Sequence, residues 1–223
     1  LRYADELKGE GNDHFRARRW EDALATYRSA LGRLPKRKAV RKPEPHLDED
    51  ELSPEHSSSQ SSNEKSKDQD EEILTEEEVQ VAKARSVLNA NIGACYVKLS
   101  EHKEAVNACT EALLDDPHYI KALQRRAASN ELLNTWSSLS SAQEDYNTLL
   151  SILPNSSNDS KEVQRALRLL KPRAEAAQKQ ETAEMMDKLK GLGNNILGNF
   201  GLSTDNFQFV PNGQGGYSMN FSR

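Results

Sequence analysis

The chain repeats itself. Gly11, Ala23 and Pro35 stand 12 and 12 residues apart, and so do Gly93, Ala105 and Pro117. The stretches around them agree: residues 7–35 read LKGEGNDHFRARRWEDALATYRSALGRLP and residues 89–117 read NANIGACYVKLSEHKEAVNACTEALLDDP. Each predicts a helix with a glycine in its middle, a short polar turn, and a second helix running to a proline. A small residue on the first helix and an alanine on the second allow the two to pack closely, and the proline cannot continue the helical ladder. Trp20 and Tyr27 are expected to fill the gaps between neighbouring hairpins. Self-similarity at this period constrains the fold more than any other feature, because one hairpin cannot bury its apolar face alone and stacked hairpins can.

A third copy runs from Ile120 to Pro154, with Ala142 again 12 residues before the proline. Ala142 lies 37 residues after Ala105, so this copy carries about three extra residues, expected in a turn over 134–140 with Trp136 packed over the hairpin end. Its helices are expected over 121–133 and 141–153. A stacked array leaves its last apolar face open, so capping helices should follow over 158–199. Asp159 or Ser160 would cap a helix over 161–170, and Pro172 would open a second, longer one. Met185, Leu189, Leu192 and Ile196 extend an apolar stripe along that second helix. The stripe suits core packing or a partner helix, with core or capping preferred.

The fold class is therefore all-α: a three-repeat helical-hairpin solenoid of the tetratricopeptide pattern, with repeats at 1–35, 79–119 and 120–154. Residues 36–78 differ in kind. They open basic (Lys36, Arg37, Lys38, Arg41, Lys42), turn acidic and hold a serine-rich centre over 57–62. With almost nothing to bury, they predict a disordered, charged insertion whose end joins the next helix. Ser53 before Pro54, and Thr75 before three glutamates, are plausible phosphorylation sites, though a merely solvated insertion is preferred. The tail over 200–223 alternates at Phe207 and Phe209 and again at Tyr217, Met219 and Phe221 around NGQGG, which predicts an extended segment or β-hairpin.

Polar groups recur on the first helix of each repeat. Lys8 and Asn12 are four apart and share one face, as do Lys121 and Arg125. Asn91 lies on the first helix of the second repeat. First helices line the concave side of such a solenoid, so three cations and two amides should converge on one groove. That set suits two carboxylates held close together, as a chain-terminal Asp presents them. Charge-assisted hydrogen bonds of roughly 1.5–3 kcal/mol each, less the cost of ordering a peptide, suggest affinity on the order of micromolar.

These positions resemble the dicarboxylate-clamp tetratricopeptide domains of chaperone cofactors, whose helices read K-x-x-x-N, an Asn five residues before an aromatic, and K-x-x-x-R. Here these are Lys8 with Asn12, Asn91 before Tyr96, and Lys121 with Arg125. The resemblance implies a co-chaperone that binds the Glu-Glu-Val-Asp terminus of heat-shock proteins 90 and 70. It also implies a pocket for an apolar side chain at Phe15, Ala94 and Val97, and possible client proteins. Over nearly the whole chain, with LKGLGNNILGNFGLSTDNFQ and GYSMNF near the end, the sequence is similar to the tetratricopeptide repeat protein 1 family. It departs from that family in its long 36–78 insertion and its longer third repeat.

Other classes are disfavoured. The net charge is −5 and 29% of residues are charged, against bulk binding to nucleic acid or anionic membranes. No apolar run reaches the length of a transmembrane helix. The five histidines are scattered and no phosphate-cradling glycine loop is present, so no enzyme activity, cofactor or metal is expected. Cys95 and Cys109 read as small core residues in a reducing, cytoplasmic setting. The remaining alternative is a scaffold that reads an internal segment of a client or a GTPase.

Overall fold

The computed structural model describes residues 1–37, 75–211 and 217–221. Seven helices carry it: α1 (Arg2–Arg16), α2 (Trp20–Leu31), α3 (Glu76–Lys98), α4 (His102–Asp115), α5 (Ile120–Leu133), α6 (Trp136–Ile152) and α7 (Asn158–Gly198). A 3-10 turn (Thr204–Asn206) and two short strands, β1 (Phe207–Pro211) and β2 (Tyr217–Phe221), follow. Helices α1 to α6 form three antiparallel hairpins stacked in chain order, and α7 packs on α6. Most of the insertion expected over 36–78 falls on 38–74, outside the described residues; its last three residues open α3.

The glycines do what their spacing suggests. A Cβ added at Gly11 would lie 2.6 Å from Cε1 of Tyr27, and one at Gly93 would lie 2.6 Å from Sγ of Cys109. Tyr27 and Cys109 are buried, so the contacts are close-packed and not surface accidents. Tyr27 packs inside its own hairpin against Gly11, and in the same core cluster as Ile92, Cys95 and Tyr96 of the next repeat. Trp20 stays within its hairpin, edge-to-face on Phe15 at 4.7 Å between ring centroids. Arg28 also reaches from the first hairpin to the second, donating to the Tyr96 hydroxyl and lying over its ring.

All three hairpins turn through one non-glycine residue in the left-handed region: Arg18 (φ 59°), Ser100 (φ 62°) and Asn134 (φ 54°). This common landmark relocates the three extra residues of the third repeat. The turn expected over 134–140 is only Asn134 and Thr135, and the extra residues add about one turn to the start of α6. Thr135 and Ser138 cap that start reciprocally, and Trp136, 42% exposed, is its first residue. Counting back from the turn also identifies Ala127, fully buried, as the small residue equivalent to Gly11 and Gly93.

The expected pair of capping helices is one helix of 41 residues, capped by Ser157 and not by Asp159 or Ser160. Pro172 lies inside it. The proline is on the exposed face, where water can serve the carbonyl left without its N–H partner. Val163, Leu170 and Ala174 bury the inner face against the second core cluster. Arg173 ties α7 to the α5–α6 turn, donating to the Glu131 carboxylate (2.8 Å), the Glu131 carbonyl (2.9 Å) and Asn134 Oδ1 (2.8 Å). The Glu181 carboxylate accepts the Trp136 N–H at the start of α6 (2.7 Å). Beyond that point the preference for core packing fails: Met185, Leu189, Leu192 and Ile196 are 56–62% exposed. The tail forms the expected antiparallel hairpin, with Phe207 opposite Phe221 and Phe209 opposite Met219.

A buried carboxylate helps to join the second repeat to the first across the long insertion. Asp115, at the end of α4, accepts from Arg85 of α3 (2.6 and 3.1 Å) and from Arg37 just past α2 (2.9 and 3.1 Å). Arg85 also donates to the Pro35 carbonyl (2.9 Å). Burial pushes the Asp115 carboxyl up, but the two guanidinium groups outweigh it and hold it below its ordinary 3.8. At the start of α3, Thr75 and Glu78 form a capping box.

Two sets of variants test this packing. Gly11→Ala and Gly93→Ala should each lose about 1–3 kcal/mol through overpacking. Gly9→Ala, where nothing lies within 4 Å of an added Cβ, should gain up to ~1 kcal/mol from helix propensity; urea melts of the three separate the effects. Asp115→Asn should lose about 3 kcal/mol by leaving Arg85 without a carboxylate and Arg37 with only the exposed Glu111. Because the folded carboxyl is depressed, its contribution is complete above the unfolded value and fades as pH falls below about 4. Wild-type stability should therefore drop across that acid range more steeply than that of the variant.

Candidate functional site

The site rests on α1, α3 and α5, the first helices of the hairpins. Lys8 and Asn12 lie one turn apart on α1, Asn91 lies on α3, and Lys121 and Arg125 lie one turn apart on α5. Helix α5 packs directly on α3. Arg125 crosses that contact and donates from Nη1 to the carbonyl of Ala90, next to Asn91 (2.9 Å).

Electrostatics link the two ends. The half-buried Tyr119 phenol, just before α5, is pushed up by burial and by Asp116, and pulled back by the charges of Arg125 and, least, Lys8. The charge of Arg125 also reaches Tyr27, whose hydroxyl donates to Asn12 Oδ1 (2.7 Å). Lys8 and Arg125, from the first and third repeats, therefore act on one shared neighbour, and Arg125 acts on the residue that orients Asn12. With its oxygen engaged by Tyr27, Asn12 has its NH2 group left to donate. The Asn91 side chain makes no hydrogen bond among the described residues. Lys121 is exposed and has no carboxylate partner among them. Lys8 has one, Asp5 of its own helix (2.5 Å), in a pair that is largely solvated.

Three arginines are part-buried among the described residues: Arg85, Arg125 and Arg126. Arg85 forks onto Asp115, and Arg126 forks onto Asp145 (2.6 and 3.0 Å). Among the described residues Arg125 has only the Ala90 carbonyl and no carboxylate. A guanidinium partly withdrawn from water without an anion is unfavourable, and no second partner of Arg125 lies among the described residues.

The residues assigned to an apolar pocket have core duties. Ala94 is buried, and Phe15 and Val97 pack partly buried against the first core cluster. Tyr27 and Tyr119 were not among the expected site residues. Tyr27 carried a signal in hindsight, since an aromatic four residues after the hairpin alanine falls opposite the glycine and beside Asn12. Both free cysteines lie beneath this face, and burial pushes each thiol up to about 11. No described helix is long and apolar enough to cross a membrane.

Repeat period, hairpin packing and stacking order define the fold as a tetratricopeptide-repeat solenoid. The chain is 34% identical over 82 residues to FK506-binding protein 59 of Drosophila melanogaster, covering 37% of this chain and 18% of that protein. It is 24% identical over 174 residues to serine/threonine-protein phosphatase 5 of Rattus norvegicus, covering 78% of this chain and 25% of that protein. Among solved structures, yeast Tom70 matches at a TM-score of 0.50 and 25% identity, over 82% of this chain and 26% of that one. The chain spans about a fifth to a quarter of the length of the relatives it matches. No family model matches it.

Tyr27 gives the site a pH signature. Burial, helped by Cys95, pushes its phenol up to about 12 from an ordinary 10.0. Stability is therefore retained below pH 10 and falls as pH rises from about 10 to 12, where the unfolded phenol ionises first. Tyr27→Phe should cost about 1 kcal/mol at neutral pH through the lost bond to Asn12. The same variant should reduce the alkaline loss. Urea melts at pH 7 and at about pH 11 would show both effects.

Proposed function

We propose that the concave groove binds the free carboxyl terminus of a partner protein, with Lys8, Asn12, Asn91, Lys121 and Arg125 holding the α-carboxylate and side chain of a terminal Asp. The observation that carries this reading is Arg125, part-buried and without a carboxylate among the described residues, while Arg85 and Arg126 each have one. An anionic ligand would supply what the fold withholds. Asn12, held by Tyr27, and Asn91 add neutral donors that suit the second oxygen of each carboxylate.

The partner is a Glu-Glu-Val-Asp terminus of the kind carried by heat-shock proteins 90 and 70, and the chain acts as a co-chaperone adaptor in the cytoplasm. Phe15, Ala94 and Val97 would receive the apolar side chain near that terminus. Catalysis plays no part in this reading; the similarity to phosphatase 5 runs through its tetratricopeptide part. The same reading places the chain in the tetratricopeptide repeat protein 1 family, on its tail sequence LKGLGNNILGNFGLSTDNFQ.

A labelled peptide ending in Met-Glu-Glu-Val-Asp, titrated beside its C-terminally amidated form, tests the proposal. The acid should bind at about micromolar affinity, and amidation or Lys121→Ala/Arg125→Ala should weaken it tenfold or more, about 1.4 kcal/mol. Equal binding of acid and amide would instead favour a scaffold that reads an internal segment.

A further inference from the structure

Helix α7 outruns its own domain. Its last anchors on the repeats are Arg173 and Glu181, and no residue over 182–198 is buried. Those 17 residues project for about 25 Å at the α-helical rise. An unpacked helix of that length is marginal in water, and Gly191, Gly193 and Gly198 weaken it further. The chain's own contribution is slight: Ser203 and Thr204 of the 3-10 turn bond Asn194 at 3.2 and 2.6 Å, and Thr204 lies over Gly193. Yet its exposed face is apolar and ordered in a pattern. Met185, Leu189, Leu192 and Ile196 are spaced 4, 3 and 4, which is the a/d seam of a two-helix coiled coil.

We propose that this segment is a homodimerisation helix that pairs antiparallel with the same segment of a second copy. Antiparallel pairing sets Leu189 against Leu192 and Met185 against Ile196, so the seam closes on itself. At its flanks Lys188 lies beside Asn195 of the other copy, so no like charges are opposed there. The two repeat bodies, both joined to the N-terminal part of α7, then sit at opposite ends of the pair. A parallel pair would force them together. With Met186 and the 76% exposed Phe200 added to the seam, the pair would bury on the order of 1,200 Å² in total, at the lower end of specific interfaces.

Sedimentation equilibrium of the full chain, from about 1 to about 100 μM, should show the mass rise from 25.0 kDa toward twice that value. Leu189→Glu/Leu192→Glu should stay monomeric over the same range. Both positions are exposed, so the repeat body should melt unchanged. Copies carrying Met185→Cys mixed with copies carrying Ile196→Cys should form a disulfide-linked dimer under mild oxidation, and neither should link to itself; the native cysteines are buried and do not compete. A wild type that remains at one chain mass overturns the proposal, whether the face is then covered from within the chain or left bare. A dimer that survives the double glutamate variant overturns it too, and self-linking of Met185→Cys overturns the antiparallel arrangement.

Discussion

Close approach of the two helices within a hairpin is the constraint from which the rest follows. At Gly11 and Gly93 a hydrogen stands where any other residue would push a methyl group to 2.6 Å from a buried ring carbon or sulfur. Helix packing distance sets how far each hairpin tilts on the next, and the same small deviation would be repeated along the array. In the first hairpin the contact has a second consequence. The ring that fills the space left by Gly11 carries the hydroxyl that holds Asn12. Packing and site orientation therefore share one residue, and a change in helix spacing would reach the groove through Tyr27.

A 37-residue stretch outside the described residues, 38–74, separates α2 from α3, yet the second hairpin stacks on the first as if the chain ran straight through. Loop-closure entropy grows only logarithmically with length, so a long insertion costs little more than a short one once its ends are fixed. Asp115 supplies much of that fixing. It receives Arg37 at the entrance to the insertion and Arg85 after its exit, and Arg85 in turn holds the carbonyl of Pro35.

What could be read from the sequence was whatever the repeat period enforces: three hairpins, their glycines and alanines, and the face shared by Lys8 and Asn12 or by Lys121 and Arg125. Residues outside the period were harder to read. Pro172 suggests a helix start by local rules, but those rules do not show that it faces solvent, where a missing N–H is tolerated inside a longer helix. The extra residues of the third repeat suggest a longer turn, whereas the left-handed Asn134 keeps the standard turn and moves them into α6. An apolar stripe from Met185 to Ile196 has the same period whether it is buried or exposed. The depth of Arg125, and its lack of a carboxylate among the described residues, depends on where α3 lies against α5 and cannot be counted from spacing.

That distinction separates the cations that build this protein from those the proposed function would use. Arg37, Arg85, Arg126 and Arg173 each have a carboxylate within 3.3 Å and join elements far apart in sequence. Their charges are already neutralised, and a ligand anion would have to displace a well-placed internal one. Arg125 and Lys121 have no such competitor among the described residues, and the Asp5 partner of Lys8 is exposed and can yield to water or to a ligand at little cost. A chain with a net charge of −5 can therefore still offer a positive site. What matters to an incoming carboxylate is the local balance within about one Debye length, ~8 Å at physiological salt. At the proposed groove that balance would rest on Lys8, Lys121 and Arg125, none of which is forked onto a buried carboxylate among the described residues.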